Sequence, residues 1–456
     1  MENMQPKENK MGILPEGKLL FGMSVPLCIS MLVQALYNIV DSIFVSRINE
    51  NALTAVSLAY PIQMLMIAFA VGTGVGINAL ISRRLGEHRF EEAELAANNG
   101  LFVLFLTSLV FTAIGLFLSR PFMNAFTDVQ QIRDYGTTYL TICCALCFGV
   151  FMQIGCERIL QSQGQNTASM VMQLIGAVTN IVFDPILIFG LLGFPKLGIA
   201  GAAYATVLGQ IVSMIACFIV LFVKKYEIRP SLKKFRLDGQ TIRDIYQVGF
   251  PSIVMQSVGT VMNLCMNAIL IAYSTTAVAV FGVYFKLQSV FFMPCFGITN
   301  ASMSIMAYNY GAQKKSRIMR TWKLTVLSSA VIMIIGTLCF ELFPEALLKL
   351  FDASDDMCRI GRPALRVLGT CFPFAAMAIT NSTLFQSVGK GFYSLLVSLI
   401  RQLAVLVPAA FILSAVFRSE FAVWFSFPIA EVASLVTSFL LFLKVKRDLI
   451  DPLPDL

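Results

Sequence analysis

The chain has 456 residues, 57% of them hydrophobic and only 13% charged, with a mean hydropathy of +0.76. That composition excludes a soluble globular protein and describes a polytopic membrane protein. The net charge of +8 comes with a single histidine, His88; this argues against a His-based catalytic centre, and in a membrane chain a basic balance reflects cytoplasmic loops rather than nucleic acid.

The N-terminus, MENMQPKENK, is polar, and no small-residue cleavage site follows the first apolar run, so the first helix reads as retained rather than as a secretory signal. Apolar stretches long enough to cross a bilayer then recur twelve times. Six lie near 19–45, 52–81, 95–119, 135–157, 168–193 and 197–223, and six more near 244–272, 277–306, 320–343, 363–384, 392–416 and 421–443. Prolines within them, such as Pro26, Pro185, Pro251 and Pro294, mark candidate kinks. Gly72, Gly74 and Gly76 lie inside a span with neither a preceding strand nor a following Walker lysine, and so suit close helix packing rather than a nucleotide loop.

Asp41 stands deep in the first run, where a carboxylate costs roughly 3 kcal/mol and by default marks an ion, proton or substrate path. Tyr37 precedes it by four residues and Asn38 by three, giving that helix a polar face. The fifth run carries the second acid: Asp184 lies about 24 Å along it from its inner end, one turn beyond Asn180. Two carboxylates about 6 Å apart would repel by roughly 3 kcal/mol at an effective dielectric near 20, which favours a proton held between them. Pro185 leaves the carbonyl of Ile181 without its usual donor, beside the acid.

The basic segment 224–243 divides the chain into an N-lobe, 1–223, and a C-lobe, 244–456. Pro26 and Pro251, Gly72 and Gly297, and Gly86 and Gly311 each stand 225 residues apart, as do Gln161-Ser162-x-Gly164 and Gln386-Ser387-x-Gly389. With six spans on each side, these are parallel repeats, the architecture of a carrier with alternating access. Lys and Arg concentrate in the segments that are internal if the N-terminus is inside, including Lys7, Arg83, Arg84, Lys225, Lys233, Lys234, Lys314, Lys315 and Arg447. Both termini are therefore expected in the cytoplasm, and the chain in the inner membrane.

The stretch Gly176–Gly209, with Asn180, Asp184-Pro185 and GIAGAAYATVLGQ from Gly198, together with the repeated Gln-Ser-x-Gly, resembles the multidrug and toxic compound extrusion (MATE) family. Tyr-Phe-Lys at 284–286 and Glu-Arg at 157–158 look like its bacterial multidrug-export branch. The resemblance implies export of bulky, mostly cationic organic compounds against inward proton or sodium flow. It maps the coupling site onto Asp41, Asn180 and Asp184. Proton is the expected ion, since a sodium site calls for several oxygens and the sixth run offers Ala202, Ala203, Tyr204 and Thr206 where relatives can add a hydroxyl.

In the C-lobe, Lys286 pairs with an acid or snorkels to a helix end, with Arg401 and Glu431 as the nearby intramembrane charges. Met255, Met262, Met266, Phe291, Phe292 and Met293 suit lipophilic cations. Glu157-Arg158 reads as a solvated inner helix end. The cysteines, Cys143, Cys144 and Cys147 included, lack a metal-ligand pattern and read as buried small hydrophobes. No enzyme, cofactor or metal is expected beyond the coupling ion. The external run from Asp352 to Asp356, the best metal candidate for a membrane enzyme, reads as a solvated loop. A lipid-linked oligosaccharide flippase of the same architecture would require a strongly basic cavity, which these few charges do not supply. The expected partners are the lipid bilayer and small organic substrates, with the monomer as the working unit.

Overall fold

The computed structural model describes residues 9–224, 226–231, 235–351 and 353–454. Lys7, Lys225, Lys233, Lys234 and Asp352 lie outside those residues. Among the described residues the protein is all helix, with no strand. A short α1 (Lys10–Ile13) precedes α2 (Glu16–Ser46), α3 (Glu50–Gly86), α4 (Phe90–Phe126), α5 (Gln130–Ala145), α6 (Phe148–Ser162), α7 (Asn166–Phe189) and α8 (Ile199–Val223). After the basic segment come α9 (Gly239–Ile271), α10 (Thr275–Gly311), α11 (Lys315–Leu342), α12 (Pro344–Lys349), α13 (Asp355–Gly369) and α14 (Phe372–Ser387). The chain ends with α15 (Gly391–Leu399), a π-helical turn at Ile400–Leu406, α16 (Val407–Phe417), α17 (Glu420–Trp424) and α18 (Ser426–Val445).

Ten helical stretches are long and apolar enough to cross a membrane, and two further spans are bent pairs, α5 with α6 at 45° and α13 with α14 at 46°. The twelve expected runs are therefore all present. Pro26, Pro61, Pro251 and Pro294 lie inside α2, α3, α9 and α10, which continue through them. The two breaks instead fall at Leu146–Cys147 and Thr370–Cys371.

The helices form two compact units, Ile29–Ile253 (the N unit) and Met1–Cys28 with Val254–Leu456 (the C unit). Their limits fall inside α2 and α9 rather than in the basic segment. In the N unit, α3 and α9 meet through glycine: a Cβ on Gly72 would lie 2.6 Å from the backbone nitrogen of Ile253, and one on Gly76 would collide with the carbonyl of Ile245. Such close approach replaces the hydrophobic drive that lipid cannot supply. The C unit is built around aromatic contacts, in which Phe372 packs against Phe291, Phe292 and Phe340. Fully buried Trp424 packs at a tilt against Phe281.

Candidate functional site

The N-unit site is assembled by α7 and α8. Helix α7 ends at Gly190, whose φ of +74° suits a residue without a side chain, and the Gly190 N–H closes the last turn on the carbonyl of Ile186. The chain then returns as α8, which packs on α7 through two further glycines. A Cβ on Gly209 would sit 2.6 Å from the carbonyl oxygen of Gly176 and 3.2 Å from Asn180 Cβ. This proximity brings Thr206 Oγ1 to 3.4 Å from Asn180 Nδ2, which donates to it; the Thr206 hydroxyl in turn donates to the carbonyl of Ala202 at 3.0 Å.

Asp184 is fully buried at 0% exposure and Asn180 nearly so at 3%. Asn180 Nδ2 also reaches Asp184 Oδ1 at 3.5 Å. From α2, half-buried Asp41 brings its carboxyl within hydrogen-bonding reach of Asp184. Tyr37 places its phenol beside both acids. Asn38 does not join them: it is exposed, and its carbonyl accepts the Ser42 hydroxyl at 2.9 Å. A residue four positions before Asp41 lies about 40° round the helix on one flank and a residue three before about 60° on the other, and only the Tyr37 flank is turned toward α7.

Three oxygens of this group, Asp41 Oδ1, Asp184 Oδ2 and Asn180 Oδ1, are buried without a hydrogen-bond partner. Acceptors left bare in a low-dielectric interior are costly. Two carboxyls within reach of each other, with three such bare acceptors in the same group, are suited to a proton or a small cation. Three neighbours adjoin this group, of which the sequence pointed only to Thr206, in the sixth run. Thr206 supplies a hydroxyl to Asn180, and Gln63 Nε2 donates to the Tyr139 phenol at 3.3 Å, with Tyr139 close to Asp41. Gln63 was findable as an amide in an apolar run; Tyr139 gives no such signal.

The Glu157-Arg158 reading is corrected. Because the fourth span is broken, Glu157 falls inside α6 rather than at a solvated end; it is buried, and Gln153 donates to it at 3.0 Å. Arg158 runs past Gly74, whose missing side chain leaves it room, and donates to Gln161 at 3.0 Å.

In the C unit, Arg401 and Glu431 meet: Arg401 Nε lies 3.5 Å from Glu431 Oε1. Lys286 is not with them. It is exposed, with its ammonium 5.8 Å from the ring centre of Phe351. The Arg–Glu pair lines a cavity of about 260 Å³, together with Tyr284, Gln288 and Gln402. Of the apolar candidates, Met262, Phe292 and Met293 line this cavity, whereas Met266 and Phe291 belong to the packed core and Met255 contacts Gln386. Among the described residues no group of His, Cys, Asp and Glu is arranged to hold a metal ion.

The chain resembles known proteins along most of its length. The MatE family model matches residues 26–186 and again 251–412. The FAD transporter of Shewanella oneidensis is 24% identical over 406 residues, 87% of this chain and 88% of that protein. The multidrug export protein MepA of Staphylococcus haemolyticus is 25% identical over 437 residues, 95% of each. A MOP superfamily transporter from Pyrococcus furiosus superimposes with a TM-score of 0.91 at 26% identity, covering 98% of this chain and 99% of that one. The two matched segments begin at Pro26 and Pro251, the same 225-residue displacement that relates the internal repeats, and they cover well over half of the sequence. The chain therefore belongs to the MATE family of membrane transporters.

Proposed function

We propose that this protein exports bulky, mostly cationic organic compounds by antiport with a cation, and that the cation is a proton handled by Asp41 and Asp184. The single observation that carries the reading is the convergence of two acids with Asn180, leaving three buried oxygens without partners. A proton shared between the carboxyls relieves their repulsion without requiring a full coordination shell. The MepA relative is a multidrug export protein, and the reading carries that activity to this chain. The distribution of Lys and Arg supports a cytoplasmic-membrane location with both termini inside, and the site needs no second copy, which supports a working monomer.

Sodium is the rival ion, favoured by the one observation that Thr206 adds a hydroxyl beside Asn180. A fluorescent lipophilic cation loaded into proteoliposomes tests both, with pH and sodium gradients imposed separately on wild type, Asp41→Asn and Asp184→Asn. Efflux driven by the pH gradient and lost in both variants is the expected result. Drive by sodium alone would replace the proton with a coordinated ion. No drive by either would overturn the export reading, with a flippase for lipid-linked oligosaccharides tried next.

A further inference from the structure

We propose that the C-unit cavity binds an aromatic zwitterion, its ammonium on Glu431 and its carboxylate on Arg401. The inference rests on the transport reading above and deepens it by naming the charge pattern of one substrate class. Glu431 is 8% exposed, and only one of its oxygens is engaged by Arg401; Oε2 is buried with no hydrogen-bond partner, on the wall of the cavity. Arg401 makes its contact through Nε, so the two terminal nitrogens of the guanidinium are left for a second acceptor.

The backbone contributes to this arrangement. Arg401 and Gln402 are consecutive, yet both line the cavity. They belong to the π-helical turn Ile400–Leu406, a widened turn of the kind that recurs at functional sites, and it brings neighbouring residues closer in angle than the α-helix around it does. Phe292, Met293 and Phe427 supply the apolar wall.

Charge selects the ligand. A singly charged guest in this cavity meets a cation and an anion at similar distances, and attraction to one is largely offset by repulsion from the other. A zwitterion laid antiparallel to the Arg–Glu pair satisfies both ends and carries no net charge into a low-dielectric site. At about 260 Å³ the space holds an arene with a short charged head.

The test uses purified full-length protein in detergent and three probes of one shape: L-1-naphthylalanine, its methyl ester, which is only a cation, and its N-acetyl derivative, which is only an anion. Titration calorimetry on the wild type is expected to show the zwitterion binding at least about tenfold more tightly than either analogue. In Glu431→Gln the preference over the N-acetyl derivative disappears, and in Arg401→Gln the preference over the methyl ester disappears. The wild-type comparison does not depend on how the variants fold. If either singly charged analogue matches the zwitterion in wild type, or none of the three binds, the inference is overturned. Dye efflux on the same preparation separates the two ideas. Efflux without a zwitterion preference sinks the cavity assignment alone, and a preference without efflux sinks the export reading alone.

Discussion

Gly209→Ala is a sensitive probe of the N-unit site, because it alters no polar atom. The added methyl would lie 2.6 Å from the Gly176 carbonyl oxygen, about 0.8 Å short of the 3.4 Å at which ordinary contact begins. Both neighbours are backbone or Cβ atoms of α7, so neither can rotate away, and α8 must move off α7. Overpacking of this kind costs about 1–3 kcal/mol. A displacement of that size also stretches the 3.4 Å approach of Asn180 Nδ2 to Thr206 Oγ1 past hydrogen-bonding range. Loss of one neutral hydrogen bond is worth about 1 kcal/mol, or roughly fivefold in the half-saturation for the driving cation. Thermal unfolding in detergent and cation-driven efflux measure the two effects. Gly22→Ala is the control, since nothing lies within 4 Å of a Cβ at that position. Wild-type thermal stability and wild-type cation dependence in Gly209→Ala, or equal damage from Gly22→Ala, would refute the reasoning.

Two further expectations concern parts of the chain outside the spans. Asp238 caps the start of α9, accepting hydrogen bonds from the Thr241 backbone at 2.8 Å and from the Thr241 hydroxyl, which hold its carboxyl below the usual carboxylate range. Its folded value lies below its unfolded one, so its stabilisation is present above the usual range and is lost as pH falls through the folded value. The thermal midpoint of Asp238→Asn should thus fall below wild type at pH 7, with the gap closing in acid; a pH-independent gap contradicts this. Arg317 holds the N-terminal segment down, lying 3.4 Å from the Glu16 carboxylate and donating to the carbonyls of Met11 and Leu14 at 3.1 and 2.6 Å. Both ionic side chains are largely covered, so Arg317→Gln, which leaves buried acceptors without their donor, should loosen the segment by about 1–3 kcal/mol, and limited proteolysis within residues 9–16 should accelerate by about tenfold or more; an unchanged cleavage rate argues against the anchoring role.

The spans were legible because hydrocarbon thickness imposes a length on any crossing run, and composition alone reveals such runs. Asp41 and Asp184 were legible for a related reason: a carboxylate stands out where every neighbour is apolar. Rotational phase was harder to read. Asn38 shares the polar stretch of α2 with Tyr37, yet which side of Asp41 faces α7 is decided by packing. Lys286 and Glu431 both lie in membrane runs, but it is Arg401, carried by a π-helical turn that ends just before Pro408, that Glu431 meets. The broken fourth span carried no proline to mark it, whereas the tenth did have markers, Gly369 at the end of α13 and Pro373 in the first turn of α14. Pro373 cannot donate to the carbonyl of Gly369, which accepts the Thr337 hydroxyl at 2.8 Å instead, whereas the prolines inside α2, α3, α9 and α10 sit in helices that continue, because neighbouring helices can re-satisfy the freed carbonyl.

The unequal lengths of the helices have a consequence for the membrane around them. Helices α3, α4 and α10, with 37 residues each, extend about 55 Å and outrun a hydrocarbon core of about 30 Å with ample margin. Helices α7 and α8, with 24 and 25 residues, extend only about 36–38 Å. These two carry Asn180, Asp184 and Thr206. Thickening the bilayer with longer acyl chains therefore falls first on the helices that hold Asp184 and its neighbours Asn180 and Thr206, while the long helices simply draw more of their length into the lipid. Lipid chain length becomes a mechanical input to the N-unit site.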